Sequence, residues 1–290
     1  TFFMMKNLPG TPFDAERFSI MTPQQQERVL EMYGLNDSLP MQYVKYIKNM
    51  LKGDLGTSFT YVNQDVSKVI TGRLGPSALI GIQAVLIGLA IGLILGILAA
   101  WKHNSGIDYF TMILAVLGVS VPNFVAAALL QYYIGLKWGA LPVGFWTGWN
   151  CSVLPSIALS FSATAMVARF MRTEMLDVLD QDYIVTARAK GLSQMKVLMR
   201  HAVRNSILPV VTILGPIVVN LMTGSLAVEN IFSIPGIGSL FVDCIKANDY
   251  PVIMGITIFY AAFYMLIVLL VDLAYSLIDP RIRLAKGKES

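Results

Sequence analysis

The sequence predicts an all-α, polytopic membrane bundle, and three observations carry that prediction. The chain has 290 residues, 55% hydrophobic and only 14% charged. Soluble domains carry about 25% charge. Mean hydropathy is +0.62. Five long runs lack any Asp, Glu, Lys, Arg or His. A net charge of +4, from 22 basic and 18 acidic residues, excludes a nucleic-acid reader dominated by a basic stripe, and two cysteines exclude a disulfide scaffold.

The charge-free runs are Leu74 to Trp101, Tyr109 to Leu136, Trp138 to Ala168 (apolar from Val153), Asn205 to Val228, and Tyr250 to Val271, which reads on to about Ile278. Each is long enough to cross a hydrocarbon core of about 30 Å. A helix is the expected form, because it satisfies its own backbone in lipid. Segments 102–108, 172–204 and 281–290 carry Lys102, Arg172, Arg188, Lys190, Lys196, Arg200, Arg204, Arg281, Arg283, Lys286 and Lys288. Segments 137–152 and 229–249 hold only Lys137 and Lys246. The positive-inside rule makes the first set cytoplasmic. The expected organisation is therefore an extracytoplasmic region over 6–73, a transmembrane domain over 74–278 and a cytoplasmic tail over 279–290. Residues 1–5 read as the tail of a first transmembrane helix that is missing or unseen here.

Within the external region, Thr22-Pro23 predicts a helix start and Gly34 a stop. A second short helix is expected from Pro40 to Leu51. In the first complete span Ala84, Gly88, Gly92, Gly96 and Ala100 recur every four residues. Such a ridge lets another helix approach closely. Helix packing is the favoured use, with pore lining second. Pro122-Asn123, and Pro209, Pro216 and Asn220, predict kinks in two spans. Asn123 and Asn220 either line a cavity or bond neighbouring helices. Asp272, near the inner end of its helix, is expected to pair with a basic group. Glu229 reads equally as a cap, a loop contact or a substrate contact. For Cys151 and Cys244 a disulfide is allowed and unsupported.

No Lys is followed by Ser or Thr, so the chain has no phosphate-binding Walker loop, and it has no His-Glu-x-x-His motif. Energy for any work is expected from an ion gradient or a partner.

The connection from Arg172 to Arg204 is 33 residues long and holds ten charged residues. Asp180 and Asp182 are placed to cap a helix over Tyr183–Lys190, Gly191 to break it, and Ser193 to cap the next. Met195, Leu198, Met199 and Ala202 are spaced for one apolar face. Helix, glycine turn and amphipathic helix fit either a knob for a soluble partner or an element lying on lipid.

The run Asp182-Tyr183-Ile184-Val185-Thr186-Ala187-Arg188-Ala189-Lys190-Gly191-Leu192 resembles the coupling-helix signature of ABC-importer permeases. That signature reads Glu-Ala-Ala, three residues, Gly. Ala187 and Gly191 match it, Val185 and Thr186 depart from it, and its proline is displaced to Pro209. The departures resemble the oligopeptide/dipeptide/nickel branch, as do Arg200-His201, Asn205 and Leu208-Pro209. The likeness extends to Leu8-Pro9-Gly10-Thr11-Pro12, to Gly53-Asp54-Leu55-Gly56-Thr57-Ser58, and to Glu229 through Gly238. It closes with Asp249-Tyr250-Pro251-Val252 and Asp279-Pro280-Arg281-Ile282-Arg283.

The resemblance implies the B-type subunit of a type I importer permease with six helices in the family. It implies a homologous C-type permease, two cytoplasmic ABC ATPases that bind the ATP and Mg, an extracytoplasmic peptide-binding protein, and membrane lipid; no nucleic acid and no cofactor in this chain are implied. Asp182, Thr186, Ala187, Arg188, Lys190, Gly191 and Leu192 become the expected ATPase-coupling residues. Asn123, Gln131, Asn220 and Thr223 are the candidate pathway residues. Peptide is the expected substrate, with nickel or a metallophore as the alternative in the same family. An ion-coupled secondary transporter ranks behind both, because only Asp272 could serve as an intramembrane acid.

Overall fold

The computed structural model describes residues 1–6, 18, 20–32, 34–61 and 64–278. Leu8–Pro12 and the 279–290 tail, both singled out above, lie outside them. The chain falls into two units, Thr1–Gly75 with Pro235–Ala262, and Pro76–Ile234 with the chain from Phe263.

In the first unit, α1 (Phe2–Lys6), α2 (Pro23–Met32) and α3 (Leu39–Met50) precede the start of α4 (Val66–Trp101). The Thr22 start holds: the Thr22 amide bonds the Gln25 side chain at 2.9 Å, and the Gln25 amide bonds the Thr22 hydroxyl at 3.4 Å. Gly34 stops the helix at φ +64°. Val66, Val69 and Ile70 pack with Ile237, Leu240, Cys244, Val252, Ile253 and Ile256. The latter come from α12 (Ile237–Lys246) and α13 (Tyr250–Ile278), numbered after the elements below.

Asp249 organises this unit. It is fully buried. Its carboxylate accepts the Ser58 hydroxyl, the Phe59 amide (3.2 Å), the Thr60 amide (3.0 Å) and the Val252 amide (3.4 Å). One acid thus opens α13 and ties down the chain after the Gly53–Ser58 block, where Gly53 and Gly56 hold φ +82° and +85°.

Cys151 and Cys244 are free thiols. Burial, with the Asp249 and Asp243 carboxylates adding, pushes the Cys244 thiol from 9.0 up to about 12. A thiol with a raised folded pKa favours folding below the unfolded value and ceases to as pH climbs past it. The expected result is that Cys244 resists maleimide at pH 8 until the protein is denatured, and that the fold weakens as pH rises from 9.0 toward 12. Thiol labelling with and without denaturant checks the first part, and thermal unfolding against pH the second.

In the second unit, α4 runs on to Trp101, followed by α5 (Gly106–Ser120), α6 (Asn123–Leu130), and α7 (Val153–Leu179) after one 3-10 turn (Trp149–Ser152). Next come α8 (Asp182–Ala189), α9 (Gln194–Lys196), α10 (Arg204–Thr212) and α11 (Leu214–Ile231). Wide π turns extend α6 over Gln131–Lys137 and join α9 to α10 over Val197–Val203.

The small-residue ridge of α4 packs on α7. A Cβ on Gly88 would meet Ala163 at 2.7 Å, one on Gly92 would meet Val167 at 2.7 Å, and one on Gly96 would meet the Ala168 carbonyl at 2.6 Å. The residue numbers rise together, so α4 and α7 run parallel. Asp108 bonding Arg172, and Gly118 lying against Phe161 and Ala165, make α5 antiparallel to α7. This alternation is the one the Lys and Arg bias predicts.

The structure corrects several boundaries. Helix α4 starts at Val66, eight residues before the charge-free run, because charge-free length measures the part that suits lipid and not where the helix begins. Helix α7 continues through Arg169, Arg172, Glu174 and Asp177 to Leu179, so most of the long connection is helix. The Tyr109–Leu136 span is broken: α5 and the Asn123–Lys137 helix meet at 101°. Val121 is extended (ψ 117°) before Pro122, as a residue preceding proline prefers. The Asn205–Val228 span breaks at Ile213. Pro216 has no amide to offer the Thr212 carbonyl one turn earlier. Among the described residues, three helices are long and apolar enough to cross a membrane, four if the bent pair counts as one. Asp272 is exposed and has no ion-pair partner among the described residues.

Candidate functional site: the coupling hairpin and its anchors

Only Asp180 and Gln181 separate α7 from α8. Gln181 (ψ 147°), not an aspartate, is the capping residue, and no side chain caps the helix. Asp182 instead sits in the first turn, where its charge faces the positive end of the helix dipole. Ile184 and Ala187, one turn apart, are buried with Val197 over Val178 and Leu179. Ala187 therefore faces inward. The outward face presents Tyr183, Val185, Thr186, Arg188 and Lys190, with Val185 59% exposed.

Gly191 ends α8 at φ +76°. Its amide bonds the Arg188 carbonyl at 2.9 Å, and the Leu192 amide reaches the Ala187 carbonyl at 3.4 Å. This double closure needs a left-handed residue, and glycine takes that conformation without a Cβ penalty. Leu192 is exposed just beyond.

Ser193 is extended (ψ 148°) before α9, again without a side-chain cap. The buried face that follows is Val197, Leu198 and Ala202, while Met195 and Met199 are exposed. The π turns over Val197–Val203 rotate the face away from ordinary helical spacing.

The hairpin is tied back on both sides. Asn205 Nδ2 donates to the Tyr183 hydroxyl at 2.8 Å. The Ser206 hydroxyl donates to the Ala202 carbonyl at 2.9 Å and lies 3.2 Å from the Glu174 carbonyl of α7. The knob is held by the two helices that flank it.

Of the pathway candidates, Asn123 opens α6 just past the bend, half-buried, with no side-chain hydrogen bond among the described residues. Gln131 Nε2 donates to the Val143 carbonyl (2.6 Å) and the Ile231 carbonyl (2.8 Å). Both amide hydrogens are thereby committed to backbone. The side chains of Asn220 and Thr223 lie outside the described ones. Glu229 is fully buried and accepts the Ser77 hydroxyl at 2.8 Å, a contact between α11 and α4.

Sequence reasoning missed Asp108. It is 2% exposed at the start of α5. Arg172 grips it through Nε (2.5 Å) and Nη2 (2.8 Å). The Asn104 amide adds a bond at 3.0 Å, and His103 Nδ1 lies 3.1 Å away. The Ser105-x-x-Asp108 spacing marks a helix start, but nothing local points to Arg172.

The family described as binding-protein-dependent transport system inner membrane component matches residues 92–284. This chain belongs to that family. The permease is 45% identical to the dipeptide transport system permease protein DppB of Lactococcus lactis over 284 residues, covering 98% of this chain and 93% of that protein. It is 38% identical to the oligopeptide transport system permease protein OppB of Escherichia coli, covering 98% and 92%. Among solved structures it resembles the MetNI methionine ABC transporter in an inward-facing form. There the TM-score is 0.64 at 14% identity, covering 73% of this chain and 97% of that one. The permease is thus a multi-pass membrane transport component with the all-α importer-permease fold.

Proposed function

We propose that the permease forms half of the translocation pathway of an ATP-driven importer of short peptides. It pairs with a homologous permease subunit, receives peptide from an extracytoplasmic binding protein, and is driven by two cytoplasmic ATPases that hold the ATP and Mg. Identity to dipeptide and oligopeptide permeases over nearly the whole chain carries this reading.

The geometry supports a mechanical role for 182–203. ATP closure of the ATPase pair pushes the outward face of α8, where Arg188 and Lys190 can meet acidic groups. The turn at Gly191, with Asp182, Thr186 and Leu192 around the buried Ala187, keeps the knob in one shape. Movement passes into α7 and α10. The small free amide of Asn123, beside the bend, suits a pathway that reads peptide backbone rather than side chains.

The test is reconstitution of the complete complex in proteoliposomes, with labelled di- and tripeptides. ATP-dependent accumulation is expected, and none would contradict the assignment. Gly191→Trp supplies the coupling arm. Forcing a side chain to φ +76° costs about 1–2 kcal/mol, so the native turn is disfavoured by roughly five- to thirtyfold. Uptake per ATP should fall to match while membrane insertion stays intact; normal uptake would exclude the lever.

A further inference from the structure

We propose that Asp108 and Arg172 are positioning residues that lock α5 to α7, so that a push on α8 moves the two helices as one body. The inference rests on the ATPase-driven reading above and adds the element that carries motion toward the broken span.

The pair lies outside the hairpin. Arg172 is two turns before the end of α7, and Asp108 is in the first turn of α5. The contact is a two-point fork, with Nε on one carboxylate oxygen at 2.5 Å and Nη2 on the other at 2.8 Å. A fork resists rotation as well as separation, which a single contact does not. The carboxylate is almost wholly buried and also holds the Asn104 amide. Buried ion pairs are poor sources of stability compared with apolar contacts of similar size. A directional lock is what this pair supplies.

Position gives the lock its use. At the far end of α5, Gly118 sits so close to α7 that a Cβ would lie 2.8 Å from Ala165 and 3.0 Å from the Phe161 carbonyl. From 108 to 118 is about 15 Å of helix, so α5 is pinned to α7 at both ends. The 101° bend follows at once. Beyond it, α6 packs on both α7 and α11, and its π extension adds an anchor through Gln131 to the Val143 and Ile231 carbonyls. Tilting α7 therefore carries α5 up to the bend at Val121-Pro122, past which α6 rests on α7 and α11 together. With the fork gone, α7 tilts and the inner end of α5 stays behind.

The complete reconstituted complex tests this with Arg172→Lys, which keeps charge and loses the fork, and with the doubly neutral Asp108→Asn/Arg172→Gln, which leaves no unpaired buried charge. Uptake per ATP, counted per assembled complex, is expected to fall roughly tenfold in both, while ATP hydrolysis continues and half-saturation by the binding protein is unchanged. A merely structural role would lower the amount assembled and leave uptake per ATP at the wild-type value, and that result overturns the proposal. A second measurement leaves the fork in place. Spin labels at Ile107 and Thr173, both exposed, should hold one separation in nucleotide-free and ATP-trapped states. A change beyond one helical turn, about 5 Å, overturns the lock. A wild-type complex that accumulates no peptide on ATP brings down the transport reading and this inference together. A coupled wild type beside an equally coupled neutral pair brings down this inference alone.

Discussion

Leucine at position 96 is expected to prevent the permease from assembling. A Cβ there would stand 2.6 Å from the Ala168 carbonyl oxygen, 2.8 Å from the Met171 Cβ and 3.2 Å from the Arg172 amide nitrogen. Two of those atoms are backbone, so relief requires α4 and α7 to move apart. Overpacking costs about 1–3 kcal/mol, and more on occasion; with backbone atoms in the way, the upper end applies here. In lipid the loss is not offset by a hydrophobic drive between helices, since close packing of small residues is what holds them. Separation would also disturb Ser156, whose hydroxyl donates to Gln83 at 2.8 Å. Gly81 is the control, because nothing lies within 4 Å of a Cβ built there. Gly81→Leu should insert and purify normally, and Gly96→Leu should yield little folded protein by size-exclusion chromatography in detergent. Equal yields would mean that the α4–α7 contact is not close-packed.

Removal of the Asp249 carboxylate should have the second largest effect. Asp249→Ala strips an acceptor from Ser58, Phe59, Thr60 and Val252 at once. A buried donor left without a partner costs about 1–3 kcal/mol; the Ser58 hydroxyl and the Val252 amide are the buried pair orphaned together, while the Thr60 amide keeps the Ser58 hydroxyl as a second acceptor at 3.2 Å. The unit built from Thr1–Gly75 and Pro235–Ala262 is expected to loosen. Cys244 offers the readout: it lies in the last turn of α12, and the Asp249 amide closes on its carbonyl at 2.9 Å. Maleimide should label Cys244 at pH 8 in Asp249→Ala without denaturant. Unchanged protection would place the anchor of this unit elsewhere.

The parts of the structure legible in the sequence are those governed by short-range rules. Gly191 closes the helix that ends at Ala189, because glycine alone accepts φ +76° freely. The Ala84–Ala100 ridge can be read because a four-residue repeat stays on one helix face. Lys and Arg bias settles the alternation of α4, α5 and α7. What stayed hidden depends on partners far along the chain. Asp108 and Arg172 are 64 residues apart, and Asp249 reaches back to Ser58 across 191. Gln131, read as a pathway residue, spends its amide on carbonyls that no local pattern predicts. Met195, Leu198, Met199 and Ala202 share one face on an ideal helix; with π turns over Val197–Val203, Leu198 and Ala202 are buried while Met195 and Met199 are exposed.

The proposed function turns on the α8 knob being gripped by an ATPase. A single cysteine at Arg188, with the buried native Cys151 and Cys244 left in place, can be cross-linked in the reconstituted complex across the ATP cycle. A covalent product with the ATPase subunit is expected in every nucleotide state, because the knob stays seated while it moves. Failure to cross-link in any state, with position 188 instead labelled by a lipid-soluble maleimide, would show the hairpin lying on the bilayer and would rule out ATPase seating at α8.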